Sequence, residues 1–275
     1  MNRHLRANAG KCIALIFYNF FFCQYRAALF KGRVPVSQVD HPLDERIPFC
    51  PEWVKIYLDF TQFWIRITGF LLREYREKAW PAVNAILDSM GAVYAFAGEV
   101  YGKNLSTTRR PFYIKGFHFL LIHLFDPHLM CIPSLHVMVM IRAYTQFTAI
   151  MKDLDAAGVH KAKVAEIRRG ARDITEAILY VKQHSVNCVS AAMYAMTCFD
   201  PALFPPAEAE NFAARLFCPV GTEVPSAADT LPAMDNETAK AAREHIIQLY
   251  RRFLSQNDAA TEDWTKPLLD FLRPL

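Results

Sequence analysis

Residues 127–151 read "PHLMCIPSLHVMVMIRAYTQFTAIM". The run is long enough for a helix to cross the hydrocarbon core of a bilayer, which takes about 20 residues. Pro133 suits a helix start, because the first turn has no use for the N–H that proline lacks. Ser134 and His136 then open an otherwise apolar helix. A packed or lipid-facing surface has no need of an imidazole, so these two residues are the first candidates for chemistry.

Four more apolar stretches accompany this one, at about 12–30, 53–72, 80–101 and about 174–199. Their lengths also fit a membrane span, but their purity is lower. Lys55, Asp59 and Arg66 interrupt 53–72, Arg142 interrupts 127–151 itself, and Glu176, Lys182 and His184 lie in 174–199. Each charge at mid-bilayer costs about 2.5–3.5 kcal/mol on insertion scales. Two readings follow: helices bundled in the membrane with their charges turned inward or snorkelling, or a peripheral or soluble protein with an aromatic helical core. The membrane reading is preferred. The opening "MNRHLRANAGKCIALIFYNFFFCQYR" has the basic start and apolar stretch of a signal peptide, but no small-residue cleavage site follows. It reads as an uncleaved anchor or first helix. Segment 112–125 is too short to span and suits an interfacial helix. The basic stretch 152–173 is a candidate cytoplasmic loop.

Strict alternation of polar and apolar residues is absent, so no sheet is expected. The fold class expected is all-α, a multi-helix membrane bundle with a helical, soluble C-terminal tail. The helical domain covers 1–199. A Pro-rich linker covers 200–235. The tail covers 236–275, where Asn236 is the expected N-cap and Ile246, Ile247, Tyr250 and Leu254 share a face.

Hydrophobic residues make up 53% of the 275 and charged residues 21%, with a net charge of +4. That balance lacks the clustered basic face that nucleic acid requires, so no nucleic-acid partner is expected. It is compatible with phosphate groups or anionic headgroups. The 7 cysteines form no CxxC pair and no disulfide framework, so no zinc site is expected.

The polar residues that break the apolar pattern are Lys103 and Arg110 in "KNLSTTRRP", Ser134 and His136 in "PSLH", and His184 in "VKQHSVNC". Two cations, a hydroxyl and two imidazoles suit phosphoryl transfer without a metal or other cofactor. Cations neutralise the phosphate, and arginine can do so with two parallel bonds. One imidazole can attack phosphorus while the other protonates the leaving alcohol.

The three stretches resemble the motif blocks of the type 2 phosphatidic acid phosphatase superfamily. Its first block, Lys, six residues, Arg-Pro, is matched by Lys103 and Arg110-Pro111. Its second, Pro-Ser-x-His, is matched by Pro133, Ser134, Leu135 and His136. Of its third, only His184 matches; Ala177 and Ile178 replace Ser-Arg, and Cys188 replaces the closing Asp. "LDERIPFCPEWVKIYL" (43–58) is similar to the sphingolipid synthase-like branch. The resemblance covers about 12–198. It implies that Lys103, Arg110 and Ser134 hold a lipid phosphate, that His136 is the general acid and that His184 is the nucleophile. The reaction implied is hydrolysis of a lipid phosphate or pyrophosphate through a phosphohistidine, by an integral, multi-pass membrane enzyme. The alternatives are transfer of a phospho-headgroup to another lipid, or a catalytically weakened member that binds a lipid phosphate. His118, His123 and His128 are read as interfacial or core.

Overall fold

The computed structural model describes residues 3–29, 34–113, 115–218, 224–257 and 263–273. From the N-terminus, α1 (Arg3–Ile16) passes through a π-helical turn (Phe17–Phe22) into α2 (Cys23–Leu29). Strand β1 (Val36–Gln38) leads through α3 (Pro42–Arg46) to α4 (Val54–Leu58) and α5 (Phe60–Tyr75). Next come α6 (Trp80–Tyr101), β2 (Leu105–Thr107), α7 (Phe117–Phe125) and α8 (Leu135–Leu154). The chain continues with α9 (Lys161–Tyr180), α10 (Val186–Phe199), α11 (Pro206–Ala214), α12 (Asn236–Gln256) and α13 (Lys266–Leu272). The architecture is helical, as the apolar periodicity implies.

Helix α8 is the centre of the bundle. Every residue from 131 to 147 is buried, as befits a helix that is apolar on all sides. It is enclosed by α5, α6, α9 and α10. Its internal charge, Arg142, is matched rather than exposed. The guanidinium reaches Asp200 at 2.6 Å and lies over the Phe199 ring.

The stretch 53–72 does not form one long helix. It breaks at Asp59, between α4 and α5, where the carboxylate takes both terminal nitrogens of Arg66 at 2.5 Å. Among the described residues, one continuous helix is long and apolar enough to cross a membrane, Arg3–Leu29. Only 11% of its apolar window is buried. It packs on α6 and leaves Ile13, Phe17, Tyr18 and Phe22 exposed. None of the other four apolar segments meets the same length and apolarity. The described part of 112–125 contains α7, whose Phe117, Leu120, Leu124 and Phe125 are exposed beside α2.

One element departs from the helical expectation. β1 and β2 pair in parallel, Val36 with Leu105, Ser37 with Ser106 and Gln38 with Thr107. Strands of three residues are too short to show alternation. At the other end, 219–223 of the expected linker and 258–262 and 274–275 of the tail lie outside the described residues. The rest of the linker carries α11, which buries Ala209, Phe212 and Ala213. It also carries the 224–231 segment, tied to α9 where Arg169 meets Asp229 at 2.9 Å and Ser226 donates to Asp173. Helix α12 is capped by Asp235, whose side chain accepts from the Thr238 N–H at 2.8 Å, one residue earlier than expected. It packs along α10. Ser190 donates to the Ile246 carbonyl at 3.1 Å, and Thr197 and Tyr250 share a hydrogen bond at 2.9 Å.

The tail helix is thus continuous with the core. Ile246 is fully buried, and Ile246→Ala is expected to cost about 2–5 kcal/mol. Denaturant unfolding should show a single transition moved to lower denaturant. An unmoved bundle transition would mean that the tail folds separately.

Candidate active site

Strand β2 positions the chain that enters α8. The Ser106 N–H donates to the Leu129 carbonyl at 3.0 Å, and the Ser106 carbonyl accepts from Cys131 at 3.2 Å. The Ser106 hydroxyl accepts from the Ile132 N–H at 2.7 Å. The Tyr101 hydroxyl then donates to the Pro133 carbonyl. Ser134 is the N-cap of α8, but its side chain makes no capping bond. It turns instead to Nε2 of His184, at 3.4 Å.

His184 sits in the turn between α9 and α10, and the 43–58 segment holds that turn. Lys182 has a left-handed backbone, φ 55°, which costs a side-chain-bearing residue roughly 1–2 kcal/mol. Its ammonium offsets this by donating to the Asp44 and Ile47 carbonyls. The Asp44 carboxylate accepts from the Val186 N–H at 3.0 Å, at the start of α10. Ser185 caps that helix through the Asn187 N–H.

His136 stacks on Tyr57 with centroids 4.6 Å apart and meets Phe60 at 4.1 Å. Its ring lies 5.5 Å from that of His184. Among the described residues, Nε2 of His136 and Nδ1 of His184 are buried without a hydrogen-bond partner. Buried polar atoms are nearly always satisfied, so two orphaned imidazole nitrogens in one place call for a functional account.

A second cluster adjoins the pair. Oδ1 of Asp126 accepts from the His128 N–H at 2.8 Å and from Gln24 at 2.5 Å. Its carboxylate lies 3.8 Å from Nδ1 of His128 and from Arg110. His128 Nε2 bonds Thr108 Oγ1 at 2.8 Å. The Cys131 sulfur lies 3.8 and 3.9 Å from the two ring nitrogens of His128. Burial opposes the charged His128 ring, but the Cys131 sulfur and the Asp126 carboxylate outweigh it and raise its pKa to about 9. Burial also opposes an ionised Asp126, yet its bonds to His128 and the Arg110 charge hold it below the usual carboxylate range. His136 goes the other way. Burial, then the nearby His184, lower its pKa to about 3. The site therefore holds a charged imidazole and a neutral one, whose ring centres lie 6.4 and 5.5 Å from that of His184.

Of the residues singled out in the sequence, Ser134, His136 and His184 come together. Arg110 stands at their edge, donating to Gln183 at 3.1 Å and to the Asp126 carbonyl at 3.0 Å. Lys103 does not join them. Its ammonium donates to Thr265 at 2.9 Å and lies 3.9 Å from Asp263, half exposed near α13. The physical reason is the intervening strand. The seven steps from Lys103 to Arg110 include β2, and extended chain advances about 3.3 Å per residue against 1.5 Å in a helix. The two cations are carried to different places. Cys188 does not replace the missing aspartate either. Its thiol accepts from the Ser185 N–H at 3.4 Å, and burial holds its pKa up, so it stays neutral. His128, read from the sequence as interfacial or core, lines the cavity with Asp126 and Cys131. The only sequence signal for it was its place just before "PSLH".

The cavity bounded by Asp126, His128, Cys131, His136 and His184 has a volume of about 20 Å³, room for one water. Phe20 and Gln24 of the N-terminal helix line it as well. Among the described residues, no three His, Cys, Asp or Glu side chains are placed to share a metal ion. No family model matches the chain, and no curated protein or solved structure matches it.

The opposite charge states give a pH signature. His136 is lowered from 6.5, so the unfolded chain binds its proton first, and stability falls as pH drops from 6.5 towards 3. His128 is raised, so its contribution is complete below pH 6.5 and is lost as pH rises through about 9. Histidine ring NMR between pH 5 and 8 should find His128 charged and His136 neutral throughout. A His136 signal titrating near 6.5 would contradict the buried stack.

Proposed function

We propose that the chain is a metal-independent phosphoesterase that acts on a phosphorylated lipid through His184 and His136. The observation that carries the reading is the convergence of the two imidazoles, each with a buried, unpartnered nitrogen, beside Ser134 and within reach of Arg110. The family resemblance supplies the roles. His184 attacks phosphorus and the phosphorus–oxygen bond of the ester breaks. His136 gives its proton to the leaving alkoxide, and water then cleaves the phosphorus–nitrogen bond. Arg110 and Ser134 hold the phosphate oxygens. The neutral state of empty His136 fits this scheme only with phosphate bound, when the ligand's negative charge restores the proton. Substrate must also widen the cavity, because about 20 Å³ admits no phosphoryl group.

Membrane attachment is proposed through Arg3–Leu29, supported by its length, its apolarity and its exposed outer face. The protein should stay in the membrane pellet after alkaline carbonate extraction. Release into the supernatant would defeat this part of the reading.

A second reading, a weakened enzyme that binds a lipid phosphate, is favoured by Cys188 and by the displacement of Lys103. Phosphate release from phosphatidic acid in detergent with EDTA separates the two. Hydrolysis predicts turnover that falls about 100-fold or more in His184→Ala and in His136→Ala. Turnover that needs an added alcohol indicates the headgroup transferase. No turnover by the wild type but a gain in Cys188→Asp indicates the weakened enzyme. Full activity in both histidine variants would overturn the site.

A further inference from the structure

Helix α7 buries one face and shows the other. Phe119 and Ile122 are buried, and the Phe119 ring meets those of Tyr113 at 4.9 Å and Phe49 at 5.9 Å. Nε2 of His123 donates to the Tyr113 carbonyl at 3.2 Å. On the opposite side Phe117, Leu120 and Leu124 recur at helical spacing and are 68%, 51% and 65% exposed. Phe112, ahead of the helix, is 85% exposed. A surface that meets only water rarely gathers so many large apolar side chains in one place.

The patch does not end with α7. The Tyr25 hydroxyl donates to the Phe125 carbonyl at 3.1 Å, and Gln24 donates to Asp126 at 2.5 Å. Both bonds hold α7 beside α2. Exposed Tyr25 meets exposed Phe125 there, so the apolar outer face of Arg3–Leu29 continues into that of α7.

The flank of the patch has one sign of charge. From Val100 to Phe125 the chain holds no acid but carries Lys103, Arg109, Arg110 and Lys115. Lys103 and Arg110 are engaged elsewhere, with Asp263 and Asp126. Asp40 accepts from the Arg109 N–H at 2.9 Å and faces that arginine. Lys115 is exposed, one residue before Gly116, the N-cap of α7. A cationic flank on an apolar helix suits anionic headgroups. It argues against a second copy of this chain, because a two-fold pairing sets the same patch, and so the same cations, against itself.

We propose that α7 is a second membrane contact, which lies in the headgroup layer of an anionic leaflet beside the span. The proposal rests on membrane attachment through Arg3–Leu29 and not on the chemistry at His184. It sets the histidine cavity between two membrane contacts: Phe20 and Gln24 line it from one, and Asp126 and His128 follow directly on the other.

Photo-crosslinking of the full-length protein in vesicles of phosphatidylcholine, with and without phosphatidylglycerol, tests it. One phospholipid probe carries a diazirine high in its acyl chain and another at the chain end, and peptide mass spectrometry locates the adducts. Residues 117–125 should be labelled by the upper probe alone, and Arg3–Leu29 by both. Lys115→Gln should lower the α7 adducts about fivefold in phosphatidylglycerol vesicles, the equivalent of about 1 kcal/mol for one cation at an anionic surface. His184→Ala should label as the wild type does, whatever its activity. Adducts on Arg3–Leu29 with none on α7 would overturn the proposal and leave the attachment standing. Adducts on neither would defeat the attachment as well. Equal labelling of α7 with and without phosphatidylglycerol, indifference to Lys115→Gln, or cross-links from α7 to α7 of a second copy would each overturn it too.

Discussion

Ser106 joins the parts of this molecule that matter. It is fully buried, it pairs with β1 on one side and with Leu129 and Cys131 on the other, and its hydroxyl fixes Ile132. Without that clasp, the segment entering α8 would have no fixed direction, because its residues lie outside any helix and need other partners for their backbone groups. The clasp aims Ser134 at His184 and brings Asp126 and His128 alongside. A two-stranded ladder of three residues is a small element, yet the geometry of the whole site is referred to it.

Electrostatics divide the site into two compartments. Around Asp126, the bonds from Gln24 and His128 and the nearby Arg110 satisfy a buried carboxylate, and charge is balanced before any ligand arrives. Around His136, two aromatic rings and burial keep the imidazole neutral. A low local dielectric strengthens both effects. In the proposed reaction, the pair would supply charges and dipoles set in advance rather than recruited during the reaction.

Part of this was legible in the sequence and part was not. The run around "HVMVMIRAYTQF" announced a central helix because it is apolar on every face, and "PSLH" with His184 announced the imidazole pair. Whether such a run faces lipid or a protein core cannot be read from composition, since both surroundings select the same side chains. The 127–151 segment lies in the core with Arg142 paired to Asp200, whereas 53–72 buries one face and leaves Arg66 exposed beside Asp59. The pairing of Lys103 with Arg110 misled because spacing counts residues and not the path between them. Asp126 and His128 were hidden because their partners, Gln24 and Thr108, are remote in sequence and meet them only after folding.

The N-terminal helix is both the one described helix long and apolar enough to cross a membrane and part of the wall of the histidine cavity. Its outer face shows Phe17, Tyr18 and Phe22, while Phe20 and Gln24 line the cavity beneath. Any surroundings that shift the seat of this helix act on the cavity with the same free energy, by thermodynamic linkage. Occupancy of the site must in turn act on how the helix partitions. Under the proposed function, solvent and substrate would thereby be two ligands of one element, and the accessibility of the histidines a property of where the protein resides as well as of its sequence.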